Sequence, residues 1–309
     1  MIPATHIDVS IVIVNYNVKD LLLKCIQSIK TYVSPALSLE IIVVDNASSD
    51  QSIFAVKERF SSVICIENKE NAGFPKANNQ AFAVAQGDFI FMLNPDTELF
   101  DDSLLSMFQY IVEHPEITAI APGLLNTNRT HQKSVWRFPT LSSVVFEMFY
   151  VKSLVKRKHY EDMDFTKPFF ADSVSGAAIL FRKSLLAEIG MLNERMFWIE
   201  DVDFCYRIHQ NGGQLLYFPT AKILHHIGQS AKKNHNISIS NQVFNKIKYF
   251  REHHPGYKAF GVTLFSLIHV LVKLLIFGIL SPFNVIYRSK ARAYAYTLPK
   301  VCFPPDGIA

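Results

Sequence analysis

Between residues 9 and 93, four apolar runs of strand length alternate with three segments of helical period, and no other feature narrows the fold as much. Residues 9–14, VSIVIV, form a β-branched run that predicts a buried strand. Residues 19–31 place Leu22, Cys25, Ile26 and Ile29 on one helical face. Strand-length runs follow at 40–44, 63–66 and 89–93, with helical segments at 52–60 and 74–86 between them. This βαβαβαβ order predicts an α/β fold, a mostly parallel central sheet with helices on both faces.

The second half is less regular. Helices are expected at 104–113 and 201–210, and strands at 118–121, 174–181 and 214–218. Residues 127–132 read as a polar loop, and 142–155 as an apolar segment with a basic tail, Lys156-Arg157-Lys158. Beyond that the chain is mostly helical. We expect one domain over residues 1–235 and a helical C-terminal extension over 236–309. Charged residues make up 19% and AVILMFWYC residues 49%, which excludes a disordered chain and a multispan membrane protein. A net charge of +4 argues against a dedicated nucleic-acid binder and suits anionic small molecules or an anionic membrane surface. Cys25, Cys65, Cys205 and Cys302 form no CxxC pair and read as thiols of a reducing compartment. The first ten residues lack the pattern of a secretory signal, so a cytoplasmic body is expected.

In an open α/β sheet, ligands bind beyond the carboxyl ends of the strands. Those ends are polar here: Asn15-Tyr16-Asn17, Asp45-Asn46, Glu67-Asn68 and Asn94-Pro95-Asp96-Thr97. Asn, Asp and Pro are also good turn formers, but four such ends along one sheet edge favour a site. Neither G-x-G-x-x-G nor G-x-x-x-x-G-K-[ST] is present, so a glycine-rich phosphate loop is not expected. The remaining way to hold a diphosphate is a divalent cation on a carboxylate, for which Asp96 is well placed.

Ordered along the chain are Val44-Asp45-Asn46-Ala47-Ser48-Ser49-Asp50, Asn71-Ala72-Gly73-Phe74 with Asn78, and Asn94-Pro95-Asp96. Then come Ser175-Gly176-Ala177-Ala178, Glu200-Asp201-Val202-Asp203 with Arg207, and His225-His226-Ile227-Gly228-Gln229-Ser230. Over about residues 8–232 this set resembles the family 2 glycosyltransferases of the GT-A fold, in spacing the rhamnosyltransferase-like branch. The resemblance implies inverting transfer of a sugar from a nucleotide-diphosphate donor, with dTDP-rhamnose the first guess. Residues 8–100 would then hold the nucleotide sugar and 100–235 the acceptor. A UDP-hexose or a galactofuranose donor is the alternative within the class. A non-catalytic sugar-nucleotide-binding scaffold and a metal hydrolase are the alternatives outside it.

By the same resemblance Asp201 is the base that takes the acceptor proton, with Glu200 positioning it or the acceptor. Asp96 is the metal-binding acid, Asn94 stands where the family has a first acid, and His225 supplies a second ligand to Mg²⁺ or Mn²⁺. His226 is its rival. Asp45, Asn15, Tyr16 and Asn17 are expected around the nucleotide, and Asn71, Gly73, Lys76 and Asn78 on the diphosphate and sugar side. Gly176 and Ala177 are expected as a floor for the acceptor and Phe197-Trp198 as a stacking wall. Arg207 is expected beside the acceptor or paired with one of the acids.

Residues 259–280 would form a helix of ~33 Å, long enough to cross a bilayer core. Thr263, Ser266, Val270 and Lys273 line up on it at helical steps, a narrow polar stripe that suits a helix lying in the membrane interface. Arg288, Lys290 and Arg292, with Lys152, Lys156, Arg157 and Lys158, would favour anionic lipid. A buried or homodimer-forming helix and a true span are the alternatives. Attachment to the cytoplasmic face would suit the lipid-linked glycan acceptor that the family implies.

Overall fold

The computed structural model describes residues 6–148, 160, 163–196, 198–226 and 235–302. Two compact units emerge. The first comprises Met1–Arg137, Asp162–Asn193 and Asp201–Ser230, the second Phe138–Glu161, Glu194–Glu200 and Ala231–Ala309. The segments 138–161 and 194–200 join the second unit although both lie before the boundary expected at 235.

In the first unit, β1 (Val9–Asn15), β2 (Leu39–Asp45), β3 (Ile64–Glu67) and β4 (Phe89–Leu93) are connected by α1 (Lys19–Tyr32), α2 (Ser52–Arg59) and α3 (Phe74–Val84). They pair in parallel in the order β3-β2-β1-β4, as the alternating pattern requires. β1, β2 and β4 are buried on both faces, which is why they read as continuous apolar runs rather than alternating ones. α1 turns Leu22, Cys25, Ile26 and Ile29 onto the sheet, where they join Ile11, Ile13 and Val43 in the main core.

Beyond β4 come β5 (Thr97–Glu98), α4 (Ser103–Glu113), β6 (Ile117–Leu125), β7 (Val135–Trp136), β8 (Phe169–Phe170), β9 (Ser173–Val174), β10 (Ala178–Arg182) and β11 (Gln214–His225). Between β10 and β11 lie α6 (Leu185–Ile189) and α7 (Glu200–Gln210), and between β7 and β8 lies α5 (Leu141–Met148). The sheet continues β4-β10-β6-β11-β5, with β10 antiparallel to β4 and β6, and β6 parallel to β11. The whole is a mixed but mostly parallel sheet.

Two strands differ from expectation, and both differences shape the site. The run 174–181 is split into β9 and β10, because the Ser175 N–H pairs with the Ser134 carbonyl while the Ala177 carbonyl accepts from Asn94 N at 2.8 Å. The strand expected to end at 218 continues to His225. Pro219 lacks an N–H, so the β6–β11 register shifts between Phe218 and Lys222, and pairing then resumes.

Gly87 leads into β4. A Cβ there would lie 2.5 Å from Ser10 N and 2.8 Å from the Val9 carbonyl carbon, both main-chain atoms of the central strand. Gly87→Ala should therefore destabilise the first unit by about 1–3 kcal/mol. A lower urea midpoint at unchanged slope would report it.

The second unit holds α5, α8 (His235–His253), α9 (Gly256–Leu280) and α10 (Val285–Cys302), with α8, α9 and α10 packed on one another and α5 against α9. Gly261 permits the α5 approach, since a Cβ there would meet Leu141 Cδ1 at 3.2 Å. The basic tail 156–158, Lys152 and Phe197 lie outside the described residues, as do Ile227, Gly228, Gln229 and Ser230.

Candidate active site

Parallel pairing brings the polar strand ends to one edge. Asn15 is opposite Asp45, Asp45 opposite Glu67, and Leu93 opposite both Ile13 and Ala178. The Asn15 amide donates to Asp45 Oδ1 at 2.7 Å and to Ser48 Oγ at 3.1 Å, and Ser48 N donates to Asp45 Oδ2 at 2.9 Å. Asn17 adopts φ +54°, which asparagine tolerates better than most residues, and its Oδ1 accepts from Ser49 N at 2.8 Å. The first two loops are thereby clamped to each other. Tyr16 stands exposed beside them.

The next two loops join the same edge. Asn68 donates to Asn46 Oδ1 at 2.9 Å, and Asn46 Nδ2 donates to the Gly73 carbonyl at 3.4 Å. Asn71 Oδ1 accepts from Gly73 N at 3.0 Å, and Gly73 sits at φ +81°, where a side chain would be strained. This turn starts α3, on which Lys76 is exposed and Asn78 is buried, its amide donating to the Phe74 carbonyl at 2.9 Å. The buried Oδ1 atoms of Asn15, Asn78 and Asn94 have no hydrogen-bond partner among the described residues. An unmatched buried acceptor costs about 1–3 kcal/mol, which a hydroxyl or N–H of a bound ligand offsets.

Asp96 follows β4 and is buried. The extension of β11 past Pro219 sets His225 opposite Thr97 and brings His225 Nε2 to 3.3 Å from Asp96 Oδ1. Gln132 settles the ring. Its amide nitrogen donates to the His225 carbonyl at 3.1 Å and to Asn126 Oδ1 at 3.2 Å, so its oxygen faces His225 Nδ1 at 2.7 Å. Nδ1 must then carry the hydrogen. In the neutral ring the Nε2 lone pair would then face the Asp96 carboxylate oxygen at 3.3 Å, a pairing made favourable by a cation held between both atoms or by a proton on Nε2. Imidazole nitrogen and carboxylate oxygen are suitable donors for Mn²⁺ or Mg²⁺. His226 faces a different carboxylate, its Nε2 lying 2.9 Å from Glu98 Oε1. Gln132→Leu keeps the volume but frees the ring, and should weaken Mn²⁺ binding about tenfold or more by calorimetry.

Asp201 lies in the first turn of α7. Its Oδ2 accepts from Gly176 N at 3.2 Å and its Oδ1 from Val202 N at 2.8 Å. Burial raises its pKa above the ordinary carboxylate value, and these two bonds only partly offset that. Gly176 and Ala177 are the pair expected as an acceptor floor. Both are buried, and they form the main-chain link from Asp201 through Ala177 O to Asn94 and so to Asp96. A side chain at 176 would press on Met92 Cε at 3.3 Å and Asp201 Cβ at 3.4 Å.

Arg207 takes the second of its two expected arrangements, paired with an acid. Its guanidinium pairs with buried Asp203 at 2.9 Å and donates to the carbonyls of Ile189 at 2.6 Å and Gly190 at 3.2 Å, tying α7 to the turn after α6. Glu200 begins α7, immediately before Asp201, and Trp198 is exposed at φ +77°; both belong to the second unit. Burial pushes the Cys25 and Cys205 thiols up to about 12, so neither is a nucleophile at neutral pH.

Sequence reasoning missed Ser48, Gln132 and Glu98. Ser48 lies within a quoted motif but received no role. Gln132 is the last residue of a polar loop, and nothing local marks its partner 93 positions away.

The model of the family described as Glycosyl transferase family 2 matches residues 10–190. An N-acetylglucosaminyl-diphospho-decaprenol L-rhamnosyltransferase of Mycobacterium tuberculosis is 21% identical over 235 residues, 71% of this chain and 76% of that protein. A poly(ribitol-phosphate) beta-glucosyltransferase of Bacillus spizizenii is 33% identical over 110 residues, 34% of this chain but only 17% of that longer protein. Among solved structures, a mannosyltransferase from Pyrobaculum calidifontis in complex with GDP-Man and Mn²⁺ superposes with a TM-score of 0.58 at 16% identity, covering 98% of this chain and 89% of that one. That likeness shows the GT-A fold.

Proposed function

The chain belongs to glycosyl transferase family 2 and is a glycosyltransferase, and from that premise we propose an inverting transfer from a nucleotide-diphosphate sugar to a hydroxyl of a lipid-linked glycan. The observation that carries it is the continuous link from the Asp201 carboxylate, through Gly176 and Ala177, to the Asp96–His225 pair. A proton acceptor and a cation-holding pair are thus mounted on one stretch of sheet edge.

Asp201 takes the proton of the acceptor hydroxyl as that oxygen bonds to the anomeric carbon. The bond from the anomeric carbon to the diphosphate oxygen breaks, the electron pair leaves with the nucleotide diphosphate, and the proton stays on Asp201. Asp96 and His225 would hold a divalent cation, which when bound would offset the charge gathering on the departing diphosphate. Asn15, Asn17 and Asp45 line the nucleotide end, where Asp45 can accept from a base N–H or a ribose hydroxyl. Asn71, Gly73, Lys76, Asn78 and Asn94 line the diphosphate and sugar side.

The likeness to a rhamnosyltransferase whose name carries a decaprenyl diphosphate supports dTDP-rhamnose as donor and a polyprenyl-diphosphate glycan as acceptor, on a cell-surface polysaccharide precursor at the cytoplasmic face of the membrane. The test is nucleotide-diphosphate release with Mg²⁺ or Mn²⁺ from dTDP-rhamnose, UDP-hexoses and UDP-galactofuranose, with and without a polyprenyl-diphosphate acceptor. Consumption of dTDP-rhamnose only with acceptor is expected. Consumption without acceptor would instead indicate a hydrolase, and binding without consumption a scaffold.

A further inference from the structure

Helix α9 is turned inside out for a protein in water. Its inward stripe consists of small or polar residues: Ala259, Val262, Ser266 and Val270 are the buried positions. Its outward face carries Phe260, Leu264, Leu271, Leu275 and Ile279, and the turn into α10 adds Phe283, 81% exposed. The polar stripe noted in the sequence therefore points at the protein's own helices, and the apolar side points away from them. The most apolar window has a mean hydropathy of 2.3 and only 17% of it is buried. Exposed apolar surface of this extent marks an interaction site.

Charge identifies the partner. Residues 255–302 contain six Lys or Arg and no Asp or Glu, so a chain of net charge +4 would be −2 without them. Lys273 of α9 and Lys290 of α10 both sit over the Phe277 ring, at 5.9 and 5.3 Å, with Tyr287 and Tyr294 stacked against it. This cluster keeps cations of both helices at one place. A second copy on this face would bring the Lys273–Lys290 pair towards like charge. A surface that offers hydrocarbon and negative charge together fits both features.

We infer that the outward face of α9 and the α9–α10 turn dock this protein on an anionic phospholipid bilayer, with α9 lying in the interface and the α10 cations among the headgroups. This deepens the lipid-linked acceptor reading and rests on it for its purpose. Docking is tested on vesicles that carry neither donor nor acceptor, so its failure leaves the transfer reading intact, and the reverse also holds.

The full chain is floated with vesicles of phosphatidylcholine, alone or mixed with phosphatidylglycerol. Binding to the mixed vesicles is expected, with at least about tenfold less to phosphatidylcholine alone. Arg288→Gln with Arg292→Gln should weaken binding to the mixed vesicles about 30-fold. Leu271→Glu, Leu275→Glu and Ile279→Glu together should abolish it, and because these side chains are already exposed, the circular-dichroism melt should not change. Equal binding to both vesicles, binding to neither, or unimpaired binding of the glutamate variant would overturn the inference. So would a lipid-free dimer that the glutamate variant converts to monomer, which would assign the face to a second copy.

Discussion

Asp201→Asn will melt at a higher temperature than the wild-type protein and will have lost transfer. The two effects share one cause. Burial holds the folded-state pKa of Asp201 above its unfolded value of about 3.9. A carboxyl raised in this way contributes stability that is present below the unfolded pKa and lost as pH rises through the folded pKa. Above its folded-state pKa the ionised group is therefore a cost to the fold, and an amide of the same shape removes it. The amide can also accept from only one of the Gly176 and Val202 N–H groups, but the raised pKa already reflects what those bonds are worth against burial. We expect the melting temperature to rise by a few degrees, roughly 2–4 °C for each kcal/mol regained. Removing the base should lower kcat by about 10²–10⁴-fold with little change in donor affinity. A variant both less stable and less active would make Asp201 a structural residue.

Asp96→Ala and His225→Ala should each uncouple donor binding from the divalent cation. In the wild type, donor affinity should rise on adding Mn²⁺, since the cation is shared between the protein pair and the diphosphate. His225→Ala leaves a single carboxylate and should weaken Mn²⁺ binding by about 10–100-fold, and Asp96→Ala by at least as much. The two substitutions should not add, because either one dismantles the pair. Titration calorimetry with Mn²⁺ alone and then with donor separates loss of the cation from loss of the nucleotide. Full retention of Mn²⁺ binding in both variants would remove the cation from this place.

The first half was legible because its signals are local. The strands are buried on both faces and read as unbroken apolar runs, and their ends read as polar turns within a few residues. The second half was less legible because its key contacts are long-range. Gln132 meets His225 across 93 positions, and it does so only because β11 continues past the bulge at Pro219, where periodicity suggested a stop. Gly176 and Ala177 were recognisable as a place needing small residues, but not that Asp201 would be the group lying against Gly176. Arg207 and Asp203, four residues apart on one helix face, could be foreseen as a pair, and the structure couples them at 2.9 Å. The polar stripe of α9 was visible at helical steps, but periodicity gives the angle between two faces and not which one is inside. Water-based intuition turns the polar face outward, and α9 does the opposite.

The central claim is that Asp201 is the base of an acceptor-dependent transfer. The most direct test preforms the enzyme–donor–Mn²⁺ complex, mixes it with acceptor, and follows single-turnover product formation against pH for wild type and Asp201→Asn. The account predicts a wild-type rate that falls on the acid side at a pH above the ordinary carboxylate range, because the raised pKa keeps Asp201 protonated there. It also predicts that the variant forms the same complex and gives no comparable turnover at any pH. A variant that turns over within a few-fold of wild type, or that keeps the same acid limb, would contradict it.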